Sequence, residues 1–421
     1  MLLLLLAQFS GCASVLCSLS IGGEPGSRSV PIAIPAVEEI MPLSWEDFVV
    51  VASPSRMPTA MAIIRVRFNQ EELIASTPAL FPSHPSRSVF PKEGGWWFSR
   101  QGNEGLVSRV FFVVSDESLQ QTRVQLPRQY PLVWLPIPGQ KPRGVQVSVA
   151  KKQPALLIDE VTPSGVKPMG AFHWWQTGMV QTLLSSRWTA VALRGDRVAI
   201  VAVDGPPEEL TLKLRVLGGA EAVESVLPCA VAIDYPLATA VDGSDRIAVV
   251  GLSKAGEVVA MIVDADQPQS ARCRVISASG ETAARPPFGT PAVVWAGDRF
   301  VSAWIADDGT VRACELGNLG VPPSIIDIGQ GADVDRPLRQ LLHSNDEFIT
   351  FVWKERGGGF VQRRMTKHLN GHAFLMDLER VLCAALHRVS SLKSCLVSRV
   401  GVLGRTQPAV AGQVAGPRAG A

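Results

Sequence analysis

An all-β body assembled from repeated antiparallel sheets is the fold class this sequence predicts, on two observations. Apolar residues gather in short alternating runs bounded by Gly- and Asp-containing turns, the pattern of hairpin strands. That unit then returns about every fifty residues through the second half of the chain.

The unit is clearest over residues 291–316, PAVVWAGDRFVSAWIADDGTVRACEL, which reads as strand, Gly-Asp turn, strand, Asp-Gly turn, strand. Tight turns of this kind need positive φ, which glycine supplies without steric cost. The same grammar recurs from Thr189 and Ala238, and more loosely from Leu341. Aligning Asp196, Asp245, Asp298 and Asp346 gives steps of 49, 53 and 48 residues. A period near 50 with three or four strands per unit is the spacing of propeller blades, which run roughly 40 to 50 residues. The expected architecture is a β-propeller of about six to seven four-stranded blades over residues 42–366, with segments 222–232 and 323–328 supplying fourth strands. Strand-like runs at 48–52, 60–68, 106–114 and 144–150 share the texture but not the turn motif, so five blades also fit. One blade alone cannot bury both faces of its sheet, and its edges stay unprotected until neighbours pack around a ring.

These units resemble the degenerate propeller repeats of exported and lipid-anchored bacterial proteins, in which a strand ending in Trp runs into Gly-Asp-Arg-Phe and a second strand ending in Trp. Residues 291–304 carry the whole pattern, with Trp295 and Trp304; the units at 189–216 and 238–264 lack both tryptophans, and Trp353 survives in the last.

The amino terminus agrees with export. Residues 1–21 carry no charge, and the first charged side chain is Glu24. Phe9-Ser10-Gly11-Cys12 resembles the lipobox of bacterial lipoproteins, with Phe9 where the family prefers Leu. The resemblance implies that Cys12 is diacylated on its thiol and becomes the new amino terminus, tying the protein to the membrane at roughly 0.8 kcal/mol per buried methylene. A plain cleaved signal and an uncleaved anchor also fit the segment. Residues 1–20 are thus expected as a signal or anchor, and 21–41, rich in Gly and Ser, as a flexible tether.

After residue 366 the period changes. Leu375, Leu378, Val381, Leu382, Ala385, Leu386 and Val389 fall at three- and four-residue steps, which predicts an amphipathic helix within 367–403, followed by a disordered tail over 404–421. Docking on the propeller rim is expected of that helix, with a protein partner or the membrane surface as alternatives.

Composition narrows the function classes. Lys and Arg number 40 against 38 Asp and Glu, without a long basic run, which argues against a nucleic-acid partner. Seven cysteines include no Cys-x-x-Cys pair, so zinc ribbons and thioredoxin-type motifs are excluded by spacing. In an exported chain two body cysteines could be bridged, with the pairing left open. His368, His372, Cys383 and His387 have helical i, i+4 spacing, but Gly371 interrupts the first pair, so surface histidines beside a buried cysteine are the expected reading and no metal is assigned. Arg194-Gly195-Asp196 occupies a hairpin-turn position and is read as a turn rather than an adhesion signal, and Asp307-Asp308-Gly309-Thr310 lacks the serine and closing tryptophan of a sialidase box. Gly329-Gln330-Gly331 is read as a loop, and neither a Gly-x-Ser-x-Gly elbow nor a phosphate-binding loop occurs. Of two tryptophan doublets, Trp96-Trp97 and Trp174-Trp175, one member each is expected in the core and the other facing solvent or the next blade. His173, Trp174 and Trp175 are the candidate stacking surface for a sugar or peptide. No catalytic residue, cofactor or metal is assigned. The expected function is a non-enzymatic binding or scaffold protein at the cell envelope, held by a lipid anchor on the periplasmic or outer surface, with a protein or glycan ligand. The rival is an extracytoplasmic glycan or peptide hydrolase with acids gathered at the propeller channel.

Overall fold

The computed structural model describes residues 27–30 and, between 37 and 366, all but the connecting segments 44–46, 53–59, 68–69, 79–88, 93–94, 105–106, 115–119, 127–131, 136–142, 150–154, 174–187, 205–210, 219–222, 285–290, 346–347 and residues 230, 232, 318, 321 and 339. The described residues form seven four-stranded antiparallel sheets. Within sheets 1 to 6, each strand pairs with the next one in sequence, the meander that short turns enforce. Blade 1 spans 37–78, blade 2 spans 89–125, blade 3 spans 132–173, blade 4 spans 188–227, blade 5 spans 233–275 and blade 6 spans 292–329. Blade 7 takes three strands from 342–366, and its outermost strand is Ser27–Val30, paired antiparallel with Phe360–Thr366.

Seven apolar clusters hold these sheets, and each one spans two consecutive blades. Met41, Val49 and Ile63 of blade 1 meet Trp96 and Phe98 of blade 2; Val201, Leu214 and Val216 of blade 4 meet Ile247, Val249 and Met261 of blade 5. The series ends where it began: Val352 and Phe360 of blade 7 pack on Ile40, Phe48 and Val50 of blade 1. Seven sheets with seven shared cores make a closed propeller ring, in which every blade packs against a neighbour on both faces.

That double burial places the first tryptophan doublet between blades, as blade-to-blade packing predicts, and the ring corrects one expectation. Trp96 and Trp97 are both in the core, at 1% and 8% exposure, because Trp96 enters the cluster with blade 1 and Trp97 the cluster with blade 3. The tether expected over 21–41 instead contributes the strands Ser27–Val30 and Val37–Pro42. An outermost strand is held by a backbone ladder along one edge and needs no apolar period, so Ser27-Arg28-Ser29-Val30 gives no hydrophobic signal. Chain closure therefore joins an early segment to the last blade through main-chain hydrogen bonds.

The turns behave as glycine and aspartate predict. Gly195 and Asp196 have φ of 67° and 62°, the paired positive values of a tight hairpin turn. The fourth strands of blades 4 and 6 are Val223–Leu227, inside the expected segment 222–232, and Ile325–Gly329, which runs one residue past the expected 323–328. Tryptophans press on glycines both between and within sheets: a Cβ on Gly329 of blade 6 would stand 2.5 Å from the Trp353 ring of blade 7, and one on Gly144 would stand 2.9 Å from Trp134, its cross-strand partner in blade 3.

The helix expected over 367–403, the tail over 404–421, His368, His372, Cys383, His387 and the whole segment 1–26 with Cys12 lie outside the described residues. Among the described residues the one helical element is the short turn Pro268–Ser270, and no helix is long and apolar enough to cross a membrane.

Candidate functional site

In a four-stranded meander, the first-to-second and third-to-fourth turns lie at one end of the strands. The second-to-third turns and the links between blades lie at the other. On the second of these faces the backbone seals blades 5, 6 and 7. Ala283 donates to the Gly256 carbonyl at 2.9 Å and Ala284 to Ile305 at 2.9 Å; Ala332 donates to Gly309 at 2.9 Å and Arg356 to Gly331 at 3.0 Å. Each link is thereby laced to the turns of the blades before and after it.

The opposite face is organised by one arginine position. Arg197, Arg246 and Arg299 each follow the turn aspartate, and each carbonyl accepts from the residue across the turn: Leu193 at 2.9 Å, Asp242 at 3.0 Å and Ala296 at 2.8 Å. Arg143, the first residue of its strand and paired with Leu135, holds the corresponding place in blade 3. The register is shared, but the guanidiniums go to different places.

At interfaces 3/4 and 4/5 the arginine crosses to the next blade. Arg143 holds Glu160 of its own blade and donates to the Asp196 carbonyl at 3.1 Å. Arg197 donates to Asp245 at 2.5 Å and to Asp266 at 2.6 Å, both in blade 5. Asp245 is only 1% exposed and also accepts from the Arg194 backbone at 2.9 Å, so the charge is buried with its hydrogen bonds supplied. The hydrogen bond from Arg197 holds the Asp266 carboxyl below its ordinary range, and the hydrogen bonds to Asp266 and Asp245 raise the Arg197 guanidinium. The link that leaves the outer strand of blade 4 is joined to the outer strand of blade 5, Arg272–Val275, by a disulfide between Cys229 and Cys273, whose Cα atoms are 5.2 Å apart.

At interface 5/6 the arginine turns back. Arg246 donates to Asp242 of its own turn at 2.6 Å. Asp242 also accepts from the backbone of Ser244 at 2.7 Å and of Arg246 at 3.0 Å, so it organises the turn and captures the guanidinium together. The matching residue in blade 4 is Leu193, which offers no side-chain acceptor, and Arg197 is released to reach across. Asp298, the turn aspartate that Arg246 would otherwise meet, stays 58% exposed.

A groove of about 430 Å³ opens there between blades 5 and 6. Arg246, Asp264 and Arg272 line one side, and Trp295, Asp298 and Arg299 the other. The short turn Pro268–Ser270 places Ser270 at the rim. Trp295 is half-buried and meets Phe300 edge-on, with ring centroids 4.8 Å apart and planes at 61°. Arg299 is held within blade 6 by Glu315 at 2.9 Å. The groove thus combines one aromatic platform with separate donors and acceptors, a composition suited to recognising a small polar ligand.

Of the residues singled out from sequence, His173 ends the strand Gly165–His173, paired with Ala155, while Trp174 and Trp175 lie outside the described residues. The Arg194-Gly195-Asp196 turn borders the 4/5 latch. Cys314 is buried, and burial pushes its thiol up to about 12, which leaves it protonated and non-nucleophilic at neutral pH. Among the described residues no group of three or more His, Cys, Asp or Glu is placed to hold a metal. The groove residues were missed by sequence reasoning, although the signal was present: an arginine after each of Asp196, Asp245 and Asp298, with Leu, Asp or Ala before the turn.

No family model and no curated protein sequence matches the chain. Solved structures match at the level of fold. An acylaminoacyl peptidase of Pyrococcus horikoshii is 10% identical, with a TM-score of 0.46, over 81% of this chain and 53% of that one. A Dos1 propeller is 8% identical, with a TM-score of 0.42, over 78% of each chain. An uncharacterised protein of Listeria monocytogenes is 8% identical, with a TM-score of 0.44, over 79% of this chain and 95% of that one. The chain spans about half the length of the peptidases it matches.

Proposed function

We propose that this chain is a non-enzymatic binding protein of the cell envelope, presenting the face that carries the first-to-second strand turns to a ligand. The observation that carries this reading is the groove at interface 5/6, present where the cross-blade arginine is held back by Asp242. Small-molecule sites are concave, of roughly 300 to 1,000 Å³, with a few placed polar groups beside an aromatic surface, and the groove has that make-up. Placement outside the cytoplasm is supported by the Cys229–Cys273 disulfide, since such bonds persist mainly in oxidising compartments. It is supported as well by the uncharged segment 1–21 and by Cys12 in its lipobox-like setting.

The test is expression of the full chain in a bacterial host with palmitate labelling and envelope fractionation, beside Cys12→Ala. Labelled wild type in the membrane fraction, an unlabelled variant and an oxidised Cys229–Cys273 pair are expected. Recovery from the cytosol with both cysteines reduced overturns the envelope assignment. Turnover of a glycan or peptide by the purified body, abolished by replacing an acid of the inner strands such as Glu39, transfers the reading to the hydrolase.

A further inference from the structure

The ligand class of the 5/6 groove can be narrowed from its lining, an inference that rests on the binding-protein reading above. Arg246, Arg272 and Arg299 only donate hydrogen bonds, and Asp264 and Asp298 only accept. Arg246 and Arg299 also hold Asp242 and Glu315, which stand outside the lining, so the groove is close to charge-balanced. A carboxylate drawn towards the guanidiniums meets Asp264 and Asp298. A cation drawn towards the aspartates meets the guanidiniums. A hydroxyl donates and accepts at once, so a neutral ligand bearing several hydroxyls satisfies both sets together.

Trp295 supplies the second half of the recognition. Phe300 meets it edge-on, fixing the half-buried indole where it lines the groove. A fixed aromatic face beside polar groups suits a ring with an apolar C–H face and polar edges, which is the chemistry of a pyranose. From this combination the geometry points to a saccharide-binding subsite between blades 5 and 6, with Trp295 as stacking platform and Asp298 and Arg246 as hydroxyl partners. The neighbouring interface 4/5 shows what removes such a site: there Arg197 crosses to Asp245 and Asp266, at 2.5 and 2.6 Å.

Saturation-transfer NMR followed by isothermal titration tests the assignment on the full chain. The probes are glucose, galactose, mannose, fucose, N-acetylglucosamine and the α- and β-1,4 disaccharides of glucose and N-acetylglucosamine. Saturable binding of at least one sugar is expected, weakened at least tenfold by Trp295→Ala and by Asp298→Asn and unchanged by Arg197→Gln. Asp298 is 58% exposed, so its variant keeps the test sound even where Trp295→Ala disturbs packing. If no sugar saturates, or affinity is unaltered in both groove variants, the assignment is wrong. Binding of an acidic or basic peptide in place of sugars, lost in the same variants, overturns the saccharide reading and leaves the binding-protein reading standing.

Discussion

Interfaces 4/5 and 5/6 are built on the same repeat and share blade 5, yet one is locked and the other open. At 4/5 an arginine spans the gap, its aspartate is buried and a disulfide ties the blade 4 to 5 link to the outer strand of blade 5. At 5/6 the equivalent arginine is captured within its own turn, and a groove lined by Trp295 remains. The difference teaches that a propeller can make a site without adding an element, by changing one turn residue, Leu193 to Asp242, while the shared cores stay intact.

The largest effect expected is loss of the staple. Cys229 and Cys273 are 44 residues apart, and closing a loop of that size restrains the unfolded chain by about 4 kcal/mol. Replacing both by serine is expected to lower stability by roughly that amount in urea unfolding, with faster hydrogen exchange at blades 4 and 5. An unchanged midpoint would remove the staple from the contrast. Next comes Gly329→Ala at interface 6/7, where the new methyl meets Trp353 at 2.5 Å. Overpacking of that kind costs roughly 1 to 3 kcal/mol and sets a scale for inter-blade packing independent of the latch.

Arg197→Gln is expected to cost about 1 to 3 kcal/mol, because it strips the 1%-exposed Asp245 of its closest partner and leaves the Arg194 contacts to carry it. Arg246→Gln also takes the guanidinium from a buried carboxylate, the 2%-exposed Asp242, but leaves it the backbone donors of Ser244 and Arg246, so a smaller loss of about 1 kcal/mol is expected. Equal losses in thermal unfolding would break the comparison. Asp242→Leu sharpens it in the other direction: with the blade 4 residue installed, Arg246 should swing to Asp298 and fill the groove. Sugar affinity should then fall at least tenfold while the ring stays folded by circular dichroism.

Much of this architecture was legible in sequence, and the part that was not has a physical reason. The turn aspartates at near-fifty-residue steps reported the blades because each hairpin demands positive φ, seen at Asp196 and Asp245. Ser27–Val30 gave no signal because an outermost edge strand is specified by its neighbour's backbone and not by its own side chains. Trp96 and Trp97 point to opposite faces, as strand alternation predicts, and both are buried because each face of blade 2 packs on a neighbouring blade. The groove escaped notice for a different reason. Arg197 and Arg246 are identical in type and register, and only the residue across the turn decides which way each guanidinium points.

The smallest effect is a dependence on pH expected from the locked interface. The hydrogen bond from Arg197 holds the Asp266 carboxyl below its ordinary range. A carboxylate depressed in the folded state stabilises it fully above the unfolded pKa of roughly 3.9, and the contribution is lost as pH falls through the depressed folded value. Arg197 stays protonated throughout, since its own pKa is raised. Acid titration of wild type should therefore show an extra loss of stability below about pH 4 that Arg197→Gln lacks. Salt should shrink the difference, because Asp266 is 57% exposed and such pairs are screened. If Arg197→Gln titrates as wild type does, the cross-blade bond contributes nothing in solution, and the distinction between the interfaces rests on the disulfide alone.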